Sequence, residues 1–261
     1  MKRILALALA TLMVLALAAC GGGSSDSDVA YVQDKGTLVV GITEFEPMDY
    51  TDADGNWIGF DADLATAFAE SLGVKVEFQL IDWDNKVMEL NDKAIDVVWN
   101  GMTLTDDVKA QMECSKPYFN NAQVVIVKAD VADAYQTADS VQGLSFAVEN
   151  GSAGMEQVAV LGAAYTPVAD QATALMEVAA GTSDAAVIDY LMAVASVGEG
   201  TGYPDLTYTC ELNAEEYGVG FRQGSDLAEK LNDFFVKSYE NGTMQGIADA
   251  YGIGDKLIKQ G

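Results

Sequence analysis

The chain contains no histidine. That absence removes Ser-His-Asp and Cys-His catalysis and every histidine-ligated zinc site. Positive charge is scarce too. Lys and Arg number 14 against 40 Asp and Glu, for a formal net charge of −26. Such a chain is a poor partner for nucleic acid or an anionic lipid surface. It draws cations, with screening over ~10 Å at 0.1 M salt, and its charge keeps an exported protein soluble. The only arginines are Arg3 and Arg222, and the only cysteines are Cys20, Cys114 and Cys210. The one long apolar run, residues 4–19, falls short of the ~20 residues a membrane span needs.

What is present fits one or two domains with a sizeable core: 261 residues, 50% of them hydrophobic. Lys2 and Arg3 precede the apolar run, so residues 1–19 read as a signal peptide. Leu17-Ala18-Ala19-Cys20 resembles the lipobox of bacterial lipoproteins. That resemblance implies cleavage before Cys20, an acyl (palmitate-type) lipid on its sulfur, and an extracytoplasmic place on the outer face of the bacterial cell membrane. The membrane would then be met through the lipid anchor alone. The run GGGSSDSD follows at once and reads as a solvated tether over 20–30. Cys114 and Cys210 remain. Outside the cytosol such a pair invites a disulfide; the alternative is two separately buried thiols.

Along the rest of the chain, strands alternate with helices, which predicts a parallel sheet. Thr37–Ile42 reads as a buried strand, and Asp54-Gly55 as a hairpin turn. Asp52-x-Asp54-x-Asn56 is no calcium loop, because its glycine stands fourth rather than sixth. No metal or cofactor is expected. Leu64, Ala65, Phe68, Ala69 and Leu72 share one helical face, closed by Gly73. Strands at 74–81 and 95–99 flank a short helix at 84–91. The same rhythm restarts with strands at 144–148, 165–168 and 185–188 and helices at 152–161, 171–180 and 190–197. Extended runs at 118–128 and 217–221 separate the two units, and two helices close the chain. Two α/β lobes joined by two crossing strands make a hinge and a cleft.

Asn100 to Thr105 reads as a polar turn between a strand end and a helix start. Thr105 is a suitable N-cap, with Asp106 and Asp107 in the first turn where the helix dipole favours carboxylates. Such places hold small ligands in α/β proteins.

Six stretches carry a family resemblance: GTLVVG from Gly36, GFDADL from Gly59, GMTLT from Gly101, SKPY from Ser115, DAAVID from Asp184 and EYGVG from Glu216. In this order and spacing the chain resembles the substrate-binding lipoproteins of amino-acid ABC transporters, solute-binding protein family 3. The resemblance implies an α/β, two-lobed fold like that of periplasmic binding proteins. Lobe 1 would take 31–118 plus 218–261 and lobe 2 would take 124–210, with 119–123 and 211–217 as hinge strands. It implies a monomer that captures a small polar solute, expected to be an amino acid, and hands it to a membrane permease without catalysis.

The family's ligand grip carries over residue by residue. Phe45 and Trp83 match aromatics that stack on the ligand. Asn100, Gly101 and Thr103 match groups that meet its ammonium and carboxylate. Ser152 and Ala153 match a helix N-terminus for the carboxylate, and Asp189 a carboxylate for the ammonium. Asp189 could instead cap the following helix. Glu44 is a further acidic candidate beside the aromatics.

One position departs. The family usually places a carboxylate-clamping arginine three residues after the second threonine of the turn, and here Val108 stands there. Lys109 is adjacent, but one residue is ~100° of helix rotation, so it points elsewhere. Arg222 matches a usually exposed position. Three explanations are open: an amino acid held by other groups, a cationic amine without a free carboxylate, or a local slip that brings in Lys109. The competing class is an extracytoplasmic enzyme of the same fold, such as a dehydratase. Glu44 with Asp189 or Asp82 would be its acid and base.

Overall fold

The computed structural model describes residues 27–261. The signal peptide, Cys20 and most of the tether lie outside the described residues. The tether expectation is corrected at its end, because residues 28–30 lie in a helix. Ser27 caps helix α1 (Asp28–Lys35) by accepting from the Ala30 N–H. Asp28 is buried, 3.0 Å from a nitrogen of the Arg222 guanidinium. Arg222 is therefore not at an exposed position. It also donates to the Leu90 and Ile95 carbonyls and lies 3.7 Å from Asp96. A guanidinium taken out of water needs such partners, and they tie α1 down.

Lobe 1 continues with β1 (Thr37–Ile42), the hairpin β2 (Tyr50–Thr51) and β3 (Trp57–Ile58), and helix α2 (Phe60–Leu72). Asp52 accepts from the Asp54 and Asn56 N–H groups, which fixes the hairpin turn. Next come β4 (Lys75–Leu80), α3 (Lys86–Asn91), β5 (Val97–Thr103), α4 (Asp106–Gln111), β6 (Glu113–Cys114) and β7 (Phe119–Asn121). Lobe 2 follows with β8 (Gln123–Lys128), α5 (Ala138–Val141), β9 (Ser145–Glu149), α6 (Ala153–Leu161) and β10 (Ala164–Val168). Helix α7 (Gln171–Ala180), β11 (Ala185–Asp189), α8 (Tyr190–Ser196) and β12 (Leu206–Glu211) complete it. The chain returns through β13 (Glu215–Phe221) and ends in α9 (Leu227–Glu240) and α10 (Thr243–Ala250).

The strands form two main sheets. The first has the order β4-β1-β5-β13-β6, with β7 also paired to β13; the second has the order β10-β9-β11-β8-β12. Within them β1, β4 and β5 run parallel, as do β9, β10 and β11, while β13 and β8 are antiparallel. Only Ala122 separates β7 from β8, and only 212–214 separate β12 from β13, so the chain crosses between the sheets twice. The fold is a two-lobed α/β architecture. Leu38, Val40 and Ile42 of β1 are fully buried, and each such side chain contributes about 1.5–3 kcal/mol. Trp99, Tyr118 and Phe235 meet at ring separations of 5.4–6.5 Å under the first sheet.

Two further expectations change. The stretch read as a polar turn after Trp99 is mostly strand, because β13 pairs with it at Thr103 and Met102. Its polar residues are kept extended by a partner strand from far along the sequence. The suggested disulfide is absent: both thiols are free. Cys114 lies on β6 of the first sheet and Cys210 is buried on β12 of the second. Each instead packs within its own lobe's apolar cluster.

Candidate functional site

The C-terminal ends of the parallel strands of both sheets face one another. In such sheets ligands bind where neighbouring crossovers diverge. The cavity there is narrow: about 30 Å³ of it is open to the centre of a water-sized sphere. Lobe 1 lines it with Thr43, Phe45, Trp83, Lys86, the 100–103 strand end, Thr105 and Val108; lobe 2 with Glu149, the 151–153 turn, Glu156, Gln171 and Asp189. The lobes touch. The Lys86 Nζ of lobe 1 donates to the Gly151 carbonyl of lobe 2 at 3.0 Å. A Cβ on Gly151 would lie 2.7 Å from Asp84 Oδ1, so only glycine lets the two walls approach this far.

Phe45 and Trp83 both line the cavity and are buried. Phe45 meets Tyr217 edge-on at 6.3 Å. The open face of Trp83 is already covered, with Lys86 Nζ 4.8 Å from its ring centroid. Gly101 has φ of 54°, and a Cβ there would be 2.5 Å from Phe45 Cε1, so glycine is required on both counts. Its N–H donates to the buried Asp61 at 2.6 Å. Burial pushes Asp61 up to about 7.

The Asn100 side chain is fully used inside lobe 1. It donates to the Thr43 carbonyl and Asp49 and accepts from the Thr43 N–H and hydroxyl. Its part in the cavity wall is therefore backbone. Thr103 Oγ1 donates to Glu215 at 3.0 Å. Thr105 caps α4 as expected, accepting from the Val108 N–H. Val108 is the residue turned to the cavity, while Lys109 is exposed and lines the outer surface instead. Glu44 is corrected. It is exposed and outside this wall, because successive side chains of an extended segment point to opposite faces, and Thr43 and Phe45 take the inner one.

In lobe 2, Ser152 caps α6 by accepting from the Met155 N–H. The N–H groups of Ala153 and Gly154 then stand at the helix start with no intrahelical partner. Asp189 closes β11 without capping α8. Its oxygens accept from Asn121, Gln123, Tyr217 and Gln171 at 2.6–3.1 Å. Three of them reach Oδ1 and only Gln171 reaches Oδ2, so Oδ2 keeps room for a further donor. Burial and then the Glu215 charge hold Asp189 up at about 7.

Three charged cavity residues were not singled out from the sequence: Lys86, Glu149 and Glu156. Glu149 closes β9 as Asp189 closes β11 on the adjacent parallel strand. It is buried, and its Oε1 has no hydrogen-bond partner among the described residues. Burial first, then Asp189 and Asp170, push it up to about 8, against the pull of Lys86. Lys86 is lowered by burial, against Glu149, Asp84 and Glu156. The signal for Glu149 was present: a carboxylate ending an apolar strand just before a turn, the same sign that marks Asp189. Among the described residues no cluster of ligating side chains suited to a metal ion occurs.

A cleft of this kind, polar, walled by two lobes and lined by buried charge, is a small-solute receptor. The comparisons agree. Residues 38–254 match the profile of the bacterial extracellular solute-binding proteins, family 3. The arginine-binding extracellular protein of Bacillus subtilis (strain 168) is 28% identical over 98% of this chain and 100% of its own. A probable histidine-binding protein of Neisseria gonorrhoeae is 32% identical over 96% of each. A substrate-binding protein of an ABC uptake transporter from Streptococcus pneumoniae, solved with bound histidine, superposes with a TM-score of 0.82. It is 28% identical, over 90% of this chain and 100% of its own. With a profile spanning both lobes and the cleft between them, this chain belongs to the bacterial extracellular solute-binding proteins, family 3.

Proposed function

We propose that the cleft captures an amino acid outside the cytoplasm and that the closed form delivers it to an ABC permease. The chain would act as a lipid-anchored monomer without chemistry of its own. The observation that carries this reading is the placement of charge. Lys86 Nζ bonds the carbonyl just before the α6 cap, next to the free N–H groups of Ala153 and Gly154. A cation and a helix start together make a carboxylate site. Lys86 thus takes the place that Val108 leaves without its arginine. The buried carboxyls at the ends of β9 and β11 line the same cavity and suit an ammonium, with Phe45 and Trp83 as apolar walls. Because these groups come from both lobes, only the closed form offers the full set, and binding shifts the lobes towards closure.

A second reading, an amine lacking a carboxylate, rests on Val108 itself. A thermal-shift panel of neutral, acidic and basic amino acids, with agmatine and putrescine as carboxylate-free amines, separates the two. The amino-acid reading expects a raised Tm with at least one amino acid. A shift with agmatine or putrescine and with no amino acid would sink it. In the same assay Asp189→Ala should abolish the shift while the protein stays folded.

A further inference from the structure

The cavity holds more negative charge than an ordinary amino acid can meet. Among the described residues Glu149, Glu156 and Asp189 line it, with Lys86 as the one cation. An α-carboxylate would match Lys86 and the α6 start. An α-ammonium would sit against Asp189, whose Oδ2 accepts from Gln171 alone and has room for one more donor. Glu149 is then left over. It is 3% exposed, it lines the cavity, and its Oε1 has no hydrogen-bond partner among the described residues. Buried polar atoms in native proteins almost always have one, so an unmatched carboxyl oxygen aimed into a ligand cavity points to a donor that the ligand brings.

Building on the amino-acid reading above, we propose that Glu149 binds a second positive group of the solute, so that the solute class is the basic amino acids. The probes that fit are guanidinium and primary ammonium side chains, which give a directed, charge-assisted hydrogen bond to a carboxylate.

The charges around Glu149 set the proton balance. Asp189 of β11, Asp170 before α7 and Glu156 of α6 are acidic, and Lys86 of α3 is the opposing cation. Burial with these neighbours holds Glu149 at about 8, so at pH 7 it is mostly the neutral acid. A cationic side chain is bound by the carboxylate, so the Glu149 proton leaves for the solvent as the ligand enters. Glu149 alone would release roughly 0.9 proton per ligand at pH 7 in the one-site limit, on top of what Asp189, held at about 7, gives up to the α-ammonium. The affinity of a basic amino acid should rise at least about tenfold between pH 6 and pH 8 in the same limit.

The test compares L-arginine with L-citrulline, its uncharged near-isostere, by calorimetry on the wild-type chain and on Glu149→Gln. Buffers of different ionisation enthalpy report the protons. Wild type should bind arginine at least about tenfold tighter than citrulline and release close to one proton more with arginine than with citrulline. Glu149→Gln, checked by its ligand-free Tm, should bring the two ligands to within about threefold and cut that extra proton release to less than half. If citrulline binds as tightly as arginine, or the variant keeps both preference and extra proton release, the inference is overturned while an amino-acid receptor still stands. If no amino acid binds, both readings fall together.

Discussion

Lys86→Met tests how this cleft manages without the family's arginine. Methionine keeps the stem over Trp83 and removes the ammonium. In the native protein Nζ donates to the Trp83 and Gly151 carbonyls, both at 3.0 Å. An ammonium has three N–H donors, so one is left for a ligand carboxylate. One charge-assisted bond contributes about 1.5–3 kcal/mol, which is roughly 10- to 150-fold in affinity. The variant also loses the Gly151 bond between the lobes, which weakens closure around any ligand. Comparing L-arginine with agmatine removes that shared effect, because agmatine keeps the guanidinium and lacks the carboxylate. By calorimetry the arginine-over-agmatine preference of wild type should fall at least about tenfold in Lys86→Met. An equal loss for both ligands would mean that Lys86 only latches the lobes, and the carboxylate assignment would be wrong.

Other consequences can be measured directly. Val108→Arg puts a guanidinium where the family usually has one and should tighten amino acids over agmatine by at least tenfold, about 1.4 kcal/mol, in the same titrations; unchanged selectivity would place Val108 outside the carboxylate's reach. Ligand-free stability should fall as pH rises. Glu149 and Asp189, raised from 4.5 and 3.8 to about 8 and 7, favour folding while protonated, and that contribution is lost as pH climbs through 7 and 8. Thermal melts should therefore give a higher Tm at pH 5 than at pH 8, and a Tm that rises over this range would contradict the burial argument. Arg222→Met leaves Asp28 and Asp96 without their guanidinium and should cost about 3–5 kcal/mol in denaturant unfolding while ligand affinity of the folded protein holds. A loss below 1 kcal/mol would show the pair to be dispensable.

Much of the architecture was legible in the sequence because each unit obeys its local period. Val40 and Ile42, or Leu64 and Phe68, announce a strand face and a helix face, and Gly73 and Gly181 stop two helices in left-handed caps. The short strands β6 and β7 carry too few residues to show a period. The polar end of β5 looked like a turn, because the strand that keeps it extended lies more than a hundred residues later. Cys114 and Cys210 could be paired on paper only because sequence does not tell which sheet each strand joins.

The site was read unevenly for a similar reason. Val108 stood out because a family pattern said what was missing. A lysine one turn after Trp83 looks like an ordinary solvated residue until the other lobe comes down on it. Thr103, Ser152 and Ala153 reach the cavity as the pattern implies, whereas Glu44 alternates away from it. Asn100 belongs to the internal network that links Thr43 and Asp49.

In the proposed function one closed cleft sorts a solute's charges, carboxylate to Lys86 and the α6 start, cation to the ends of β9 and β11. A crystal structure with the amino acid that gives the largest thermal shift tests it most directly. The account predicts the carboxylate ~3 Å from Lys86 Nζ or the Ala153 N–H, and a positive group within hydrogen-bond reach of Glu149. A ligand bound outside the cleft, or one whose positive groups leave the Glu149 oxygen unpaired, would contradict it.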